Sequence, residues 1–390
     1  MPIRKVVIDK ANRLYQLPPT VAEFVPSRRN KGLVQRNDLI DLASFRWPIS
    51  FTPEFNTKPN NLALASNNRI ELLKETLADW LSRTHKVKIV PGKELFIGGG
   101  ISNLAFLLSL AYIDAGDVAF VPGLGIPAYR SAVTACNGVP IGYTVSVKND
   151  WEPQFDRITA GLGRVARLLF INSPHNPTGF EFTEKAITSL AKQAGKLNVL
   201  LVNDAAYQSV SARTPVSLLD VKGGRRVGIE LASFSYQFGL PPLPFGYAVG
   251  NREAINGLKR SARLLPSYLP SYFVDLALEA IQHYPSPALT SIREQIHRAA
   301  AEAGDLLDHL KLKRSGQPTV PFVWAKIDRR TPSTDFAKTV LRRFGIQVTP
   351  GLGFGSNGEG FIRLSLLAGL EALSKATERI KNSRTVIRKG

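Results

Sequence analysis

Apolar residues return at helical spacing over "RIELLKETLADWLSRT", where Ile70, Leu73, Leu77, Trp80 and Leu81 share one face, so the pattern predicts an amphipathic helix. Further on, "ELFI" is a short apolar run that passes through Gly98, Gly99 and Gly100 into the apolar helical stretch "ISNLAFLLSLAYI". "VAFV", "RLLFI", "NVLLV", "GIELAS" and "FGYAVG" follow as further short apolar runs, separated by helical patterns such as "TEKAITSLAKQA". Continuous apolar strands that alternate with helices predict a parallel or mostly parallel sheet covered on both faces. From about residue 256 the pattern turns helical ("AINGLKRSARLL", "VDLALEAIQHY", "SIREQIHRAAAEAGDLLDHLKL") before the strand "VPFVWAKI" and a closing strand and helix. The expected organisation is an N-terminal arm over 1–45, a large α/β domain over 46–255, connecting helices over 256–283 and a smaller C-terminal α+β domain over 284–390.

Ligands of open α/β sheets bind beyond the carboxyl ends of the strands, so the residues that follow each apolar run are the candidates for chemistry. After "ELFI" come Gly100, Ile101 and Ser102 at a helix start, where free backbone N–H groups and the helix dipole favour an anion. "RLLFI" is followed by "NSPHNPTG" with Asn176 in a proline-bracketed turn, and "NVLLV" by Asp204 with Tyr207 three residues on. "GIELAS" ends at Ser233, with Ser235 and Tyr236 beyond it. Far downstream, "EGFIRLS" sets Arg363 among apolar neighbours. A guanidinium in such surroundings calls for a carboxylate ligand, because burying it unpaired is costly.

In this order and spacing, "NSPHNPTGF", "VNDAAY", "SFSYQFGL…GYAVG" and "EGFIRLS" resemble the fold-type I aminotransferases of class I/II, which use pyridoxal phosphate (PLP). The resemblance runs from about "IDLASF" at residue 40 to the C-terminus. It implies a fold-type I aminotransferase-like α/β architecture and a homodimer. By the same resemblance Asn176 and Tyr207 match the residues at the cofactor's phenolic oxygen, and Asp204 the carboxylate paired with the pyridine nitrogen. Gly100, Ile101, Ser102 and Ser233 match a phosphate cup, and Arg363 the clamp for an α-carboxylate. Ile126 and Tyr129 in "PGLGIPAY" fall on the two aromatic positions beside the ring and substrate.

Four positions depart from that pattern. The lysine that bonds the cofactor falls on Tyr236, and no lysine lies between Lys222 and Lys259. The phosphate-binding arginine falls on Pro244, the stacking aromatic on Ile126, and the partner-subunit tyrosine motif reads "LALASNNRIE". Loss of a charge-assisted phosphate contact costs about 1.5–3 kcal/mol, so the first expectation is PLP-independent chemistry with no cofactor. On that reading Arg363, Asn176, Ile126 and Tyr129 receive a small carboxylate-bearing, amino-acid-like substrate of a biosynthetic pathway, and Tyr236, Asp204 and Tyr207 are catalytic. Two alternatives stand beside it: an enzyme that holds PLP or its pyridoxamine form noncovalently, and a non-catalytic ligand-binding protein.

Composition narrows the partners. The 390 residues are 44% hydrophobic and carry a net charge of +19, enough for a large core and for an attraction to anions. The basic residues lie scattered, without aromatic interleaving or zinc spacing, which argues for solvated faces over a nucleic-acid site. One cysteine, Cys136, and five scattered histidines offer no metal site. An uncharged apolar run of about 18 residues and a signal-peptide core are both lacking, so the expectation is a cytoplasmic protein without a membrane span.

Overall fold

The computed structural model describes residues 9–26, 39–44, 63–155, 165–211, 215–240, 245–265, 268–317, 320–327 and 331–387. The expected boundary at 45/46 and Pro244 lie outside them. Seven strands form the large sheet: β1 (Leu95–Gly98), β2 (Val118–Pro122), β3 (Val139–Tyr143), β4 (Ala166–Asn172), β5 (Leu200–Asp204), β6 (Gly228–Ser233) and β7 (Gly246–Gly250). Their order is β1-β7-β6-β5-β4-β2-β3. Only β7 runs antiparallel to its neighbours, so the sheet is mostly parallel, as the unbroken apolar runs require.

Helices cover both faces because each has an apolar stripe to bury. The Asn67–Thr84 helix is capped by Ser66 and buries Leu73, Leu77, Ala78, Trp80 and Leu81, while Ile70 is half-buried. The Glu184–Leu197 helix starts on Thr183, whose hydroxyl accepts from Ala186 N, and buries Ile187, Leu190, Ala191 and Ala194.

A second sheet, all antiparallel, follows the long Pro287–Leu310 helix. It consists of β8 (Leu312–Arg314), β9 (Phe322–Ile327), β10 (Thr349–Pro350) and β11 (Phe361–Ser365) in the order β10-β11-β9-β8. An early piece of the chain packs beside it: Ile40–Asp41 pairs in parallel with Ile346–Gln347 as a separate two-stranded sheet, and Ile40 and Leu42 enter the same core as Ile362 and Leu364. That core also takes Ala206, Tyr207 and Val210 from the turn after β5. The carboxyl edge of the large sheet is thereby sealed against the small one.

Register fixes what meets at this edge. Gly98, Gly246 and Ser233 occupy one rung, and Asn172, Asp204 and Leu231 another. Gly246 permits the closeness, since a Cβ there would stand 2.3 Å from Ala232 O and 3.3 Å from Gly100 Cα. We therefore expect Gly246→Ala to lower the unfolding free energy by about 1–3 kcal/mol, the usual cost of overpacking. A denaturant midpoint equal to that of the unsubstituted protein would show that the strands separate easily.

Candidate active site

Asp204 ends β5 and is 2% exposed. Its Oδ1 accepts from Ala206 N at 3.0 Å, and its Oδ2 accepts from the hydroxyl of Tyr129. Burial pushes its pKa from 3.8 up to about 6, against the hydrogen bonds from Tyr129 and Ala206, which pull it down. The carboxylate is thus held by neutral donors and stays receptive to a cationic or N–H partner.

Asn172, at the end of β4, ties two loops together. Its Nδ2 donates to the backbone oxygen of Asp204 at 2.8 Å, and its Oδ1 accepts from Asn176 N at 2.8 Å. Asn176 then donates through Nδ2 to Tyr207 Oη at 3.1 Å. Its Oδ1 accepts from Arg363 Nη1 at 3.0 Å. Arg363, 5% exposed in the middle of β11, also donates through Nη2 to Ala43 O at 3.3 Å. Its guanidinium lies 4.9 Å from the Phe354 ring centre and 5.7 Å from that of Phe322. Desolvation brings its pKa down to about 10, so the charge persists at neutral pH.

Tyr236 lies one turn beyond β6, half-buried, its ring 5.2 Å from that of Tyr207. Desolvation raises its phenol well above the ordinary value. The hydroxyl is therefore a donor at neutral pH. Burial raises Tyr207 in the same way.

The glycine turn ends at Gly100, which takes φ +89° and caps the Ile101–Tyr112 helix. That conformation suits glycine, because an L side chain is strained at positive φ even though no neighbouring atom stands within 4 Å of a Cβ placed there. Asn103 Oδ1 pins Gly99 N at 3.1 Å. No acidic residue occupies the helix's first turn. Ile101 is half-buried, Ser102 exposed, and Ser233 half-buried on its rung. Ile126 is half-buried between two apolar cores.

The edge therefore brings together Asp204, Tyr207, Asn176, Arg363 and Tyr236, with the Gly100–Ser102 helix start following β1, which β7 separates from β6. Tyr129 lies beneath them, 1% exposed and stacked 5.3 Å from Phe170. His175 is a brace: its Nε2 meets Leu124 O at 2.9 Å and its Nδ1 meets Thr178 Oγ1 at 2.8 Å, and burial lowers its pKa to about 4. Cys136 is half-buried with its thiol pKa raised by desolvation. No metal-binding cluster of three such ligands occurs, and no helix is long and apolar enough to cross a membrane, among the described residues.

Four contributors escaped the sequence reading. Asn172 had a signal, a lone amide closing an apolar strand. Ala43 O, Phe322 and Phe354 had none, since their meeting with Arg363 is decided by chain packing alone.

The profile of a family described as aminotransferase class I and II matches residues 52–380. An LL-diaminopimelate aminotransferase of Halothermothrix orenii is 32% identical over 96% of this chain and 99% of its own length. One of the same name from Aquifex aeolicus is 28% identical over 96% of this chain and 99% of its own. Among solved structures, substrate-bound BacF of Bacillus subtilis superposes with a TM-score of 0.82 at 24% identity, over 96% of this chain and 98% of that one. An aspartate aminotransferase of Thermotoga maritima gives 0.81 at 20% identity, over 96% and 99%. These last two show the fold.

The comparisons correct three expectations. Aminotransferases of this class use PLP, so the expectation of no cofactor fails. PLP-independent chemistry fails with it, as does the inference that a tyrosine at 236 removes the enzyme from conventional PLP-dependent transamination. The reason lies in the site, which keeps its carboxylate, amide and phenol set although Pro244 and Ile126 stand at the phosphate-arginine and stacking positions. The donor set suits that cofactor, with a buried carboxylate for the ring nitrogen, an Asn176–Tyr207 pair for the phenolic oxygen and a glycine-capped helix start for the phosphate. No lysine is buried among the described residues.

Proposed function

This chain belongs to the class I and II aminotransferases, and from that premise we propose that it is a transaminase holding PLP or its pyridoxamine form through noncovalent contacts. The observation that carries this reading is the continuous buried chain from Tyr207 through Asn176 to Arg363, beside Asp204 at the sheet's carboxyl edge. When bound, PLP supplies an electron sink and a carrier for the amino group.

The protein's own residues supply the rest. Asp204 would take the ring nitrogen, Tyr207 and Asn176 the phenolic oxygen, and Gly100, Ile101, Ser102 and Ser233 the phosphate. Arg363 would clamp the α-carboxylate of an amino acid in two parallel hydrogen bonds. Ile126 offers an apolar wall there, and Tyr236 Oη, kept protonated by burial, donates toward the same space. Phe322 and Phe354 shield the guanidinium from water, which strengthens its hold on an anion. LL-diaminopimelate, the compound in the relatives' names, is the first amino donor to try. A cytoplasmic two-fold dimer is the form we propose for the enzyme.

The test is equilibrium dialysis of the purified protein against PLP, followed by borohydride reduction and peptide mapping, then amino transfer from LL-diaminopimelate to an oxo acid. Saturable PLP binding without an adduct at any lysine, together with amino transfer, supports the reading. A protein that takes up no PLP overturns it. A stoichiometric lysine adduct would replace the noncovalent hold with a covalent one.

A further inference from the structure

Tyr129 is fully buried, yet its hydroxyl is committed to one group: Oη donates to Asp204 Oδ2. Its ring is fixed by stacking on Phe170 at an interplanar angle of 17°. The helix that carries it, Ala128–Ala135, packs on the Ile101–Tyr112 helix. The aromatic position is therefore occupied from below the sheet edge, where its phenol reaches the carboxylate and is closed to solvent.

We propose that Tyr129 is the positioning residue of Asp204, holding one carboxylate oxygen in its acceptor form so that the group is aimed and charged for the ring nitrogen of the cofactor. This rests on the reading that the edge binds PLP.

Each ionisable neighbour supports that direction of donation. Facing Asp204 are Tyr129 from the Ala128–Ala135 helix, Tyr207 from the turn after β5 and Tyr236 from the turn after β6. Tyr143 at the end of β3 stands beside Tyr129, and Arg363 of β11 beside Tyr207 and Tyr236. Every one of these phenols is driven upward, first by desolvation. None competes with Asp204 for the role of acceptor. Tyr143 gives its own proton to Phe170 O at 3.0 Å, while Tyr129 gives its proton to the carboxylate.

A tyrosine that merely fills space and one that sets a carboxylate's charge differ in what Tyr129→Phe does. In the cofactor-free protein labelled with carboxyl-13C aspartate, Asp204 is the resonance lost in Asp204→Asn. Tyr129→Phe should let Asp204 bind its proton about tenfold more tightly, the worth of one hydrogen bond to a charged group. In the PLP-bound protein, dialysis from pH 6 to 9 should show Tyr129→Phe losing most affinity at the acid end and approaching the unsubstituted protein at the alkaline end. Added to Asp204→Asn, Tyr129→Phe should change PLP affinity no further.

An unshifted carboxyl titration overturns the proposal, as does an affinity loss that is equal at every pH or that persists in the double variant. A protein that binds no PLP refutes the cofactor reading instead, and the carboxyl titration still decides what Tyr129 does.

Discussion

Arg363→Lys should raise the KM for the amino-acid substrate by about 10–100-fold, the worth of one or two charge-assisted hydrogen bonds. Arg363→Leu should raise it further, because it also removes the charge. The lysine keeps a cation but loses the planar fork, and with it the hold that Nη1 has on Asn176 Oδ1 and Nη2 on Ala43 O. Its compact ammonium would also trade the flat contact with the Phe354 and Phe322 rings for a more strongly hydrated charge in the same apolar slot. Turnover at saturating substrate should fall less than kcat/KM does, because the clamp binds a carboxylate that the reaction leaves unchanged. Steady-state kinetics with the amino acid that supports turnover checks this. An unaltered KM in both variants would remove Arg363 from the substrate site.

Asp204→Asn should separate stability from function. Burial raises the folded-state pKa of Asp204 from 3.8 to about 6, so the folded protein binds this proton more tightly than the unfolded chain. Its contribution to stability is full below about pH 4, falls as pH rises to about 6, and stays lost above that. At neutral pH the ionised carboxylate costs about 3 kcal/mol, from a difference of about two pKa units at about 1.4 kcal/mol each. The neutral amide removes that cost, less what the weakened bond to Tyr129 gives back.

The cofactor-free Asp204→Asn protein should therefore melt at or above the unsubstituted one at pH 7, and the difference should vanish below pH 4. The same change should weaken PLP binding by about 10–100-fold, since a charge-assisted contact to the ring nitrogen is lost. Thermal unfolding across pH beside equilibrium dialysis gives both readouts. Undiminished PLP affinity would mean that the ring nitrogen does not meet this carboxylate.

Much of this was legible in the chain alone, and the reason is local. Strand runs such as "RLLFI" are apolar without alternation because both faces of β4 are covered, and the helix stripes show their period whatever they pack against. Asn176, Asp204, Tyr207 and Arg363 were legible because each follows or interrupts an apolar run, where a polar side chain needs a partner. What the sequence could not carry was the consequence of Tyr236. The altered positions suggested a site without its cofactor, whereas the chain's relatives are aminotransferases and its carboxylate, amide and phenol set is intact.

Tertiary packing decided the partners. Arg363 meets the Ala43 carbonyl across 320 residues and Asn176 across 187, because an early segment pairs with Ile346–Gln347 and packs into the core of the small sheet. Tyr129 reaches Asp204 across 75 residues, which depends on how the Ala128–Ala135 helix lies on the sheet. A hydrogen bond is set by distances of a few tenths of an ångström, and those follow from register and helix placement, which a pattern of apolar and polar residues leaves open. The chain fixes by itself which groups must be buried at the strand ends; only the folded arrangement chooses which of them satisfies which.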